Sequence, residues 1–337
     1  MEVLKGVGLL VLVLSAFTLF SYKAPQGMKA MGALANAACA TFLVEALQLS
    51  LLGNVFGIPF LAEIGTINGG FGGVAAGTLV MLALGVSPVY ALMLGLTSAK
   101  LGILSGFIAG YLMSYVVKFL EKKVPPGLDL IVIILIGTPM MRLIGVSIDP
   151  MVNTILLTIG EIITACTDSS PIVMGLIIGG FFTLISTSPL SSMALTAMLA
   201  LKGAPMGIAA LAISATSICN FLMFKNLKFG DKKDTISVVI EPLTQADIVS
   251  ANPIPIYSSN FASGAVCGVV ISAMGLINNA PGTAAPMAGL PVMFAYNQTD
   301  KVLLCTGICV VLAGIVGIIC SRIFKNYKIK TAAEIRG

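Results

Sequence analysis

The sequence predicts an all-α polytopic membrane protein of about ten transmembrane helices with re-entrant loops. Three observations carry that reading. Of its 337 residues, 57% are hydrophobic and only 10% are charged, with a mean hydropathy of +1.03; a soluble domain carries about 25% charged residues. Apolar runs near the length of a bilayer-crossing helix, roughly 20 residues, recur along the whole chain. The runs are continuous instead of alternating, which favours helices over a closed β-barrel, the other way to satisfy backbone polar groups in lipid. The chain therefore reads as one integral membrane domain over residues 1–337.

Ten spans are expected, near residues 5–22, 28–52, 67–86, 89–117, 126–146, 150–167, 171–187, 203–224, 259–276 and 302–321. The first reads as a retained helix and not a signal peptide, because "SYKAPQG" follows it with no small-residue cleavage site. Basic residues gather at Lys118, Lys122 and Lys123, at Lys225, Lys228, Lys232 and Lys233, and at Arg322, Lys325, Lys328 and Lys330. Such clusters mark cytoplasmic loops. Placing all three inside demands an even number of crossings between them, which ten spans satisfy with both termini cytoplasmic. The expected location is the plasma membrane.

Residues 225–258 form the one substantial polar insertion, too short for an independent catalytic domain. It reads as a cytoplasmic loop with one short strand at "TISVVIEP" and a docking role. The glycine rows Gly102, Gly106, Gly110 and Gly264, Gly268, Ser272 are close-packing faces, within the chain or across a homodimer.

Three stretches break the helical pattern: 60–73 ("FLAEIGTINGGFGG"), 186–193 ("STSPLSSM") and 277–291 ("INNAPGTAAPMAGLP"). Irregular backbone at membrane depth is tolerated only where protein or a water-filled cavity surrounds it, and broken helices point to transporter substrate sites. The last stretch has no charge to hold it in bulk water, so it is expected to dip back toward the bilayer middle. Its Asn278, Asn279 and Thr283, with Thr187, Ser188, Ser191 and Ser192 of the second break, would line one wall of a pocket. Glu63 and Asn68 belong to the first break.

Charges inside apolar runs are expensive and so suspect of function. Glu45, Lys100, Arg142 and Glu161 fall in such runs. The two cations can snorkel or pair with a glutamate; Glu161 is too short to snorkel from mid-span and is expected to line the cavity. The chain has no histidine, which removes Ser-His-Asp chemistry, histidine metal sites and phosphohistidine. The seven cysteines all lie in apolar runs and read as small hydrophobes. No metal site and no cofactor is expected, and no nucleic-acid-binding domain is visible. Neutral amides and hydroxyls suit a sugar or sugar-like solute, which offers many hydrogen-bonding groups and no net charge.

"EPLTQADIVSANPIPIY", "GGFFTLISTSPLSSMAL" and "GLINNAPGTAAPMAGLPVMF" together resemble the enzyme IIC membrane subunits of the sugar phosphotransferase system, on the branch that includes the perfringolysin O regulator family. The likeness runs over nearly the whole chain. It implies a homodimeric ten-helix carrier with re-entrant loops, whose bound sugar is phosphorylated by a phosphocysteine on a IIB domain. The present chain has no IIA or IIB domain, so a separate IIB protein is the implied partner at the cytoplasmic face. Better-known IIC subunits are thought to pair a glutamate with a histidine near the accepting hydroxyl. Without histidine, the base would be a carboxylate, Glu161 or Glu63. A carrier of the same fold without phosphorylation, and a membrane sensor with an indirect regulatory role, stay open as alternatives.

Overall fold

The computed structural model describes residues 2–125, 127–188 and 191–336; Pro189 of the second break and Pro126 at the expected start of the fifth span lie outside them. The described residues are helical almost throughout, and their one β-contact is an isolated bridge between Gly203 and Asn278. Helix α1 runs Glu2–Lys23 and α2 Gly27–Val55. Within α2, Cys39–Leu43 and Ala46–Val55 take π-helical geometry, a widening that often marks functional positions. Two short helices follow, α3 (Pro59–Gly70) and α4 (Gly72–Ala83), bent by 55° at Phe71.

The fourth expected span, 89–117, is broken. Helix α5 (Pro88–Leu96) stops after nine residues and α6 begins at Ile103, running to Lys123. Lys100 sits in the gap with φ of 65° and is exposed. It therefore lies between two helices and not within one. The gap frees carbonyls at the end of α5, and Arg142 takes two of them, donating to Thr97 O (3.0 Å) and Ala99 O (2.7 Å). Arg142 thus caps a broken helix.

The fifth and sixth expected spans merge. Helix α7 is continuous over Leu128–Ser169, 42 residues, and passes through Pro150. At 1.5 Å per residue it is roughly 63 Å long, about twice the hydrocarbon thickness. Helix α8 (Pro171–Ser186) is only 16 residues. Among the described residues seven helices are long and apolar enough to cross a membrane, or eight if the bent pair α3–α4 counts as one span. The all-α polytopic class holds; by length and composition alone seven or eight helices qualify as spans, beside the shorter apolar helix α8. Counting the bent pair, the intervals set by the three basic clusters hold four, two and two crossings, which keeps the even parity.

Helix α9 (Ser192–Met198) is short, and α10 (Gly203–Leu227) is the central core helix. Its apolar window is 78% buried, against 22–28% for α1, α7 and the last span. The outer helices leave their Leu, Ile and Val side chains to lipid, which is as apolar as they are.

The strand expected at "TISVVIEP" is a helix. Asp231 caps α11 (Lys232–Ile240) in a capping box with Asp234, which satisfies both first-turn donors and outweighs the β-propensity of the run. A 3₁₀ turn (Pro242–Gln245) and α12 (Ala246–Ala251) complete the connector, and α13 starts at Pro253, running to Ala273. Val238, Ile248 and Val249 are fully buried, so this segment packs onto the bundle and is no free loop. Helices α14 (Pro286–Met293), α15 (Thr299–Ile323) and α16 (Ala332–Arg336) close the chain.

Both glycine rows are used inside the chain. A Cβ at Gly264 or Gly268 would strike the carbonyls of Gly179 and Gly175 on α8, and one at Gly106 the carbonyl of Gly73 on α4. These helix pairs approach backbone to backbone, as small-residue faces allow. None of the seven cysteines is in a disulfide among the described residues, and six of them are buried.

Candidate functional site

The second and third sequence breaks meet. Ser192, opening α9, donates to the carbonyl of Ala284 (2.6 Å), and the backbone N–H of Asn278 donates to Gly203 O (3.0 Å). Asn279 closes the same junction by accepting from Gly203 N–H (3.1 Å). The stretch 277–285 thus lies against the gap between α9 and α10, where Ala200 has φ of 44° and Gly203 φ of 68°. Gly282, at φ 80°, lets this stretch press on α2: a Cβ there would come within 2.7 Å of Phe42 Cβ. Only glycine serves at that crossing.

Between these elements lies a cavity of about 400 Å³. The widened part of α2 supplies Phe42, Glu45, Ala46, Leu49, Ser50 and Asn54; the α9–α10 gap supplies Ala197, Ala200 and Lys202; the third break supplies Asn279, Ala280 and Pro281, with Tyr296 beyond. The π-turns of α2 and the two helix breaks border this space. A cavity of about 450 Å³ along α1 is lined by Val11, Leu14, Leu19 and Phe181 together with Ser15, Thr18, Tyr22 and Lys23. Its polar groups all come from the one helix α1.

Of the predicted residues, Asn279 lines the cavity and is exposed. Asn278 and Thr283 are fully buried and spend themselves on the loop. The Asn278 amide donates to Thr283 Oγ1 (2.8 Å) and accepts from Ala280 N–H (2.8 Å), while Thr283 donates to Ala280 O (2.9 Å). Ser191 is the N-cap of α9, at φ 56°, and accepts from Ala194 N–H. Thr187 and Ser188 turn away, into the protein. Thr187 accepts from the Asn260 amide (3.3 Å), within a buried polar band that includes Thr183, Thr216 and Ser263. Ser188 donates to Ile185 O and borders a smaller cavity beside Tyr22 and Tyr257.

Glu63 and Asn68 are not in this group. Both sit on α3, which packs behind the second half of α2; Glu63 is exposed and the Asn68 amide donates to Ile64 O (3.0 Å). Glu161 is exposed on α7, next to Gly160, whose packing against the Leu199 carbonyl faces the bundle. It is not among the residues that line the cavity. The carboxylate that does reach the cavity wall is Glu45, half-buried and pressed against Gly69. Lys202 brings a second charge to the rim, so the wall is not made of neutral groups alone.

Sequence reasoning missed Glu241. It lies between α11 and the 3₁₀ turn, its Oε1 accepting from Leu243 N–H at 3.4 Å and its Oε2 buried without a hydrogen-bond partner. Burial pushes its carboxyl above the ordinary carboxylate range. It is close enough to Cys39 to interact electrostatically, and Cys39 is one helical turn from the cavity-lining Phe42. Helix α11 also touches α14. The available signal was a lone carboxylate followed by proline inside the apolar run "SVVIEPL"; its position in a polar insertion hid it.

The family model for the phosphotransferase system EIIC matches residues 28–336. The chain belongs to that family. No curated protein and no solved structure matches it. An EIIC chain is a multi-pass membrane subunit for sugar transport, and the all-helical bundle with a polar cavity at two helix breaks agrees with that. The match is to the EIIC family as a whole and not to one branch of it. Among the described residues no group of histidine, cysteine or acidic side chains could hold a metal ion.

Proposed function

We propose that this EIIC chain moves a sugar or sugar-like solute through the cavity between α2, the α9–α10 gap and the 277–285 stretch, coupled to phosphorylation by a separate IIB protein. The observation that carries the coupling is Glu241: a half-buried carboxylate with one buried, unsatisfied oxygen, near Cys39, which itself lies one helical turn from the cavity-lining Phe42. Asn279, Asn54, Ser50 and Tyr296 supply donors and acceptors for sugar hydroxyls. Glu241 takes the proton from the hydroxyl that attacks the phosphocysteine of the partner; the new P–O bond forms as the P–S bond breaks, and the thiolate leaves with IIB. A carboxyl raised by burial is the better base near neutral pH, which suits a chain with no histidine. Glu241 takes this role in place of Glu161 or Glu63 because, among the described residues, it is the carboxylate with a buried oxygen that has no hydrogen-bond partner.

The connector that carries Glu241 is the surface on which IIB docks. Alternating access then works by rocking the elements around the breaks, in a homodimer of the plasma membrane with both termini cytoplasmic. A second reading, transport without phosphorylation, draws on the missing histidine. Uptake into proteoliposomes with and without phosphorylated IIB separates the two. Sugar phosphate accumulating only with phosphorylated IIB supports coupling, and unmodified sugar entering without it overturns coupling. If no sugar moves under either condition, a sensor role takes the place of both.

A further inference from the structure

The connector that carries Glu241 is held in place by a segment far away in sequence. Asn252, fully buried, donates to Lys330 O (2.8 Å) and accepts from Lys330 N–H (2.8 Å), and Ala332 N–H donates to Phe229 O (2.7 Å). The chain then turns into α16 and presents Arg336. Its guanidinium donates to Asp234 Oδ1 (2.7 Å), to Gln245 Oε1 (2.9 Å) and, as a two-pronged fork, to both carboxylate oxygens of Asp247 (2.7 and 2.9 Å). Both ion pairs found among the described residues are made by this one arginine.

The partners flank Glu241. Asp234 is the capping-box residue of α11 before it; after it, Gln245 ends the 3₁₀ turn and Asp247 lies in the first turn of α12. Arg336 does not touch Glu241. It ties the two arms of the bend on which Glu241 sits. Exposed ion pairs are individually weak, and these side chains are up to 41% exposed. The forked, multi-partner geometry is what makes the tie specific, since a planar guanidinium fixes several acceptors in one plane.

We infer that Arg336 is a positioning residue, closing the 229–252 connector into a ring that keeps the Glu241 carboxyl oxygen buried. The inference rests on the reading of Glu241 as the working carboxylate. Release of the tie frees the bend to open locally, exposing Glu241 while the bundle stays folded.

The test needs no knowledge of the solute. The whole chain in lipid nanodiscs is treated with a water-soluble carbodiimide and glycine methyl ester, and amidation of each carboxyl is followed by mass spectrometry. Arg336→Ala should raise the modification rate of Glu241 about tenfold, the size expected when a coupled network loses one member, while Glu45 in the cavity wall stays at its wild-type rate. An unchanged rate at Glu241 overturns the inference, and so does an equal rise at Glu45, which would mean general loosening. If Arg336→Ala does not fold, Asp247→Asn removes the forked half of the tie and must move Glu241 in the same direction; no change there overturns the inference too. Glu241→Gln transporting like the wild type would sink the functional reading instead, leaving the labelling result to decide the role of Arg336 by itself.

Discussion

Ser192 and Ala284 are 92 residues apart, and the hydroxyl of one donates to the carbonyl of the other at 2.6 Å. That bond joins two helix breaks into one wall. It is buried, so removing the hydroxyl leaves a carbonyl without its partner, at a cost of about 1–3 kcal/mol. Ser192→Ala should lower the melting temperature in detergent and slow uptake, whereas Ser191→Ala, which loses only a 3.3 Å cap bond, should do less. Equal effects from the two would mean that the breaks are held together elsewhere.

Glu241 and Glu161 give opposite expectations. Glu241→Gln keeps shape and hydrogen-bonding but cannot take a proton, and a lost general base costs on the order of 10²-fold or more in rate. Phosphorylated product should fall by that much with expression intact. Glu161 is exposed on α7 and does not line the cavity, so Glu161→Gln should leave uptake near wild type. Reversed outcomes would return the catalytic role to mid-span α7.

The helical class was legible because it needs only composition and run length, and both are written plainly in this chain. The span boundaries were not. Residues 126–167 contain Pro150 and Asp149, which read as a boundary, yet the helix runs through them: Asp149 accepts from the backbone N–H of Gly102 (2.8 Å) and the amide of Asn153 (2.9 Å). That partner lies 47 residues away and no local pattern announces it. The breaks at 186–193 and 277–291 were legible as breaks, since proline, glycine and clustered polar groups mark them. Which of their side chains face the cavity was not, because Asn278 and Asn279 differ only in which direction the loop turns.

Those two neighbours supply the next prediction. Asn278 is fully buried and holds Ala280 and Thr283; Asn278→Ala should destabilise the protein by about 1–3 kcal/mol and cut folded yield. Asn279 is exposed to the cavity and spends one oxygen on Gly203. Asn279→Ala should keep near-normal yield and weaken solute affinity severalfold, the worth of about one hydrogen bond. Radiolabelled-sugar binding alongside folded yield for both variants separates the roles, and a matched loss of yield in both would remove Asn279 from the binding surface.

Acid and base should act on stability through different residues. Burial raises the Glu241 carboxyl above its ordinary value, so across the interval between the ordinary and the raised value the native state holds a proton that the unfolded chain has lost. Stability must fall as pH rises through that interval and level off above it. Asp247 is the reverse case: the Arg336 fork holds it below the ordinary range. Its contribution is fully present above the ordinary carboxylate value and disappears as pH falls through the lowered one. Melting temperatures across roughly pH 3 to pH 8, the span that brackets carboxylate titration, should show both limbs in the wild type. Glu241→Gln should flatten the decline on the rising side alone, and Asp247→Asn the loss on the acid side alone. A Glu241→Gln curve parallel to the wild type throughout would show that the carboxyl titrates as if in water, and the argument for a buried base would go with it.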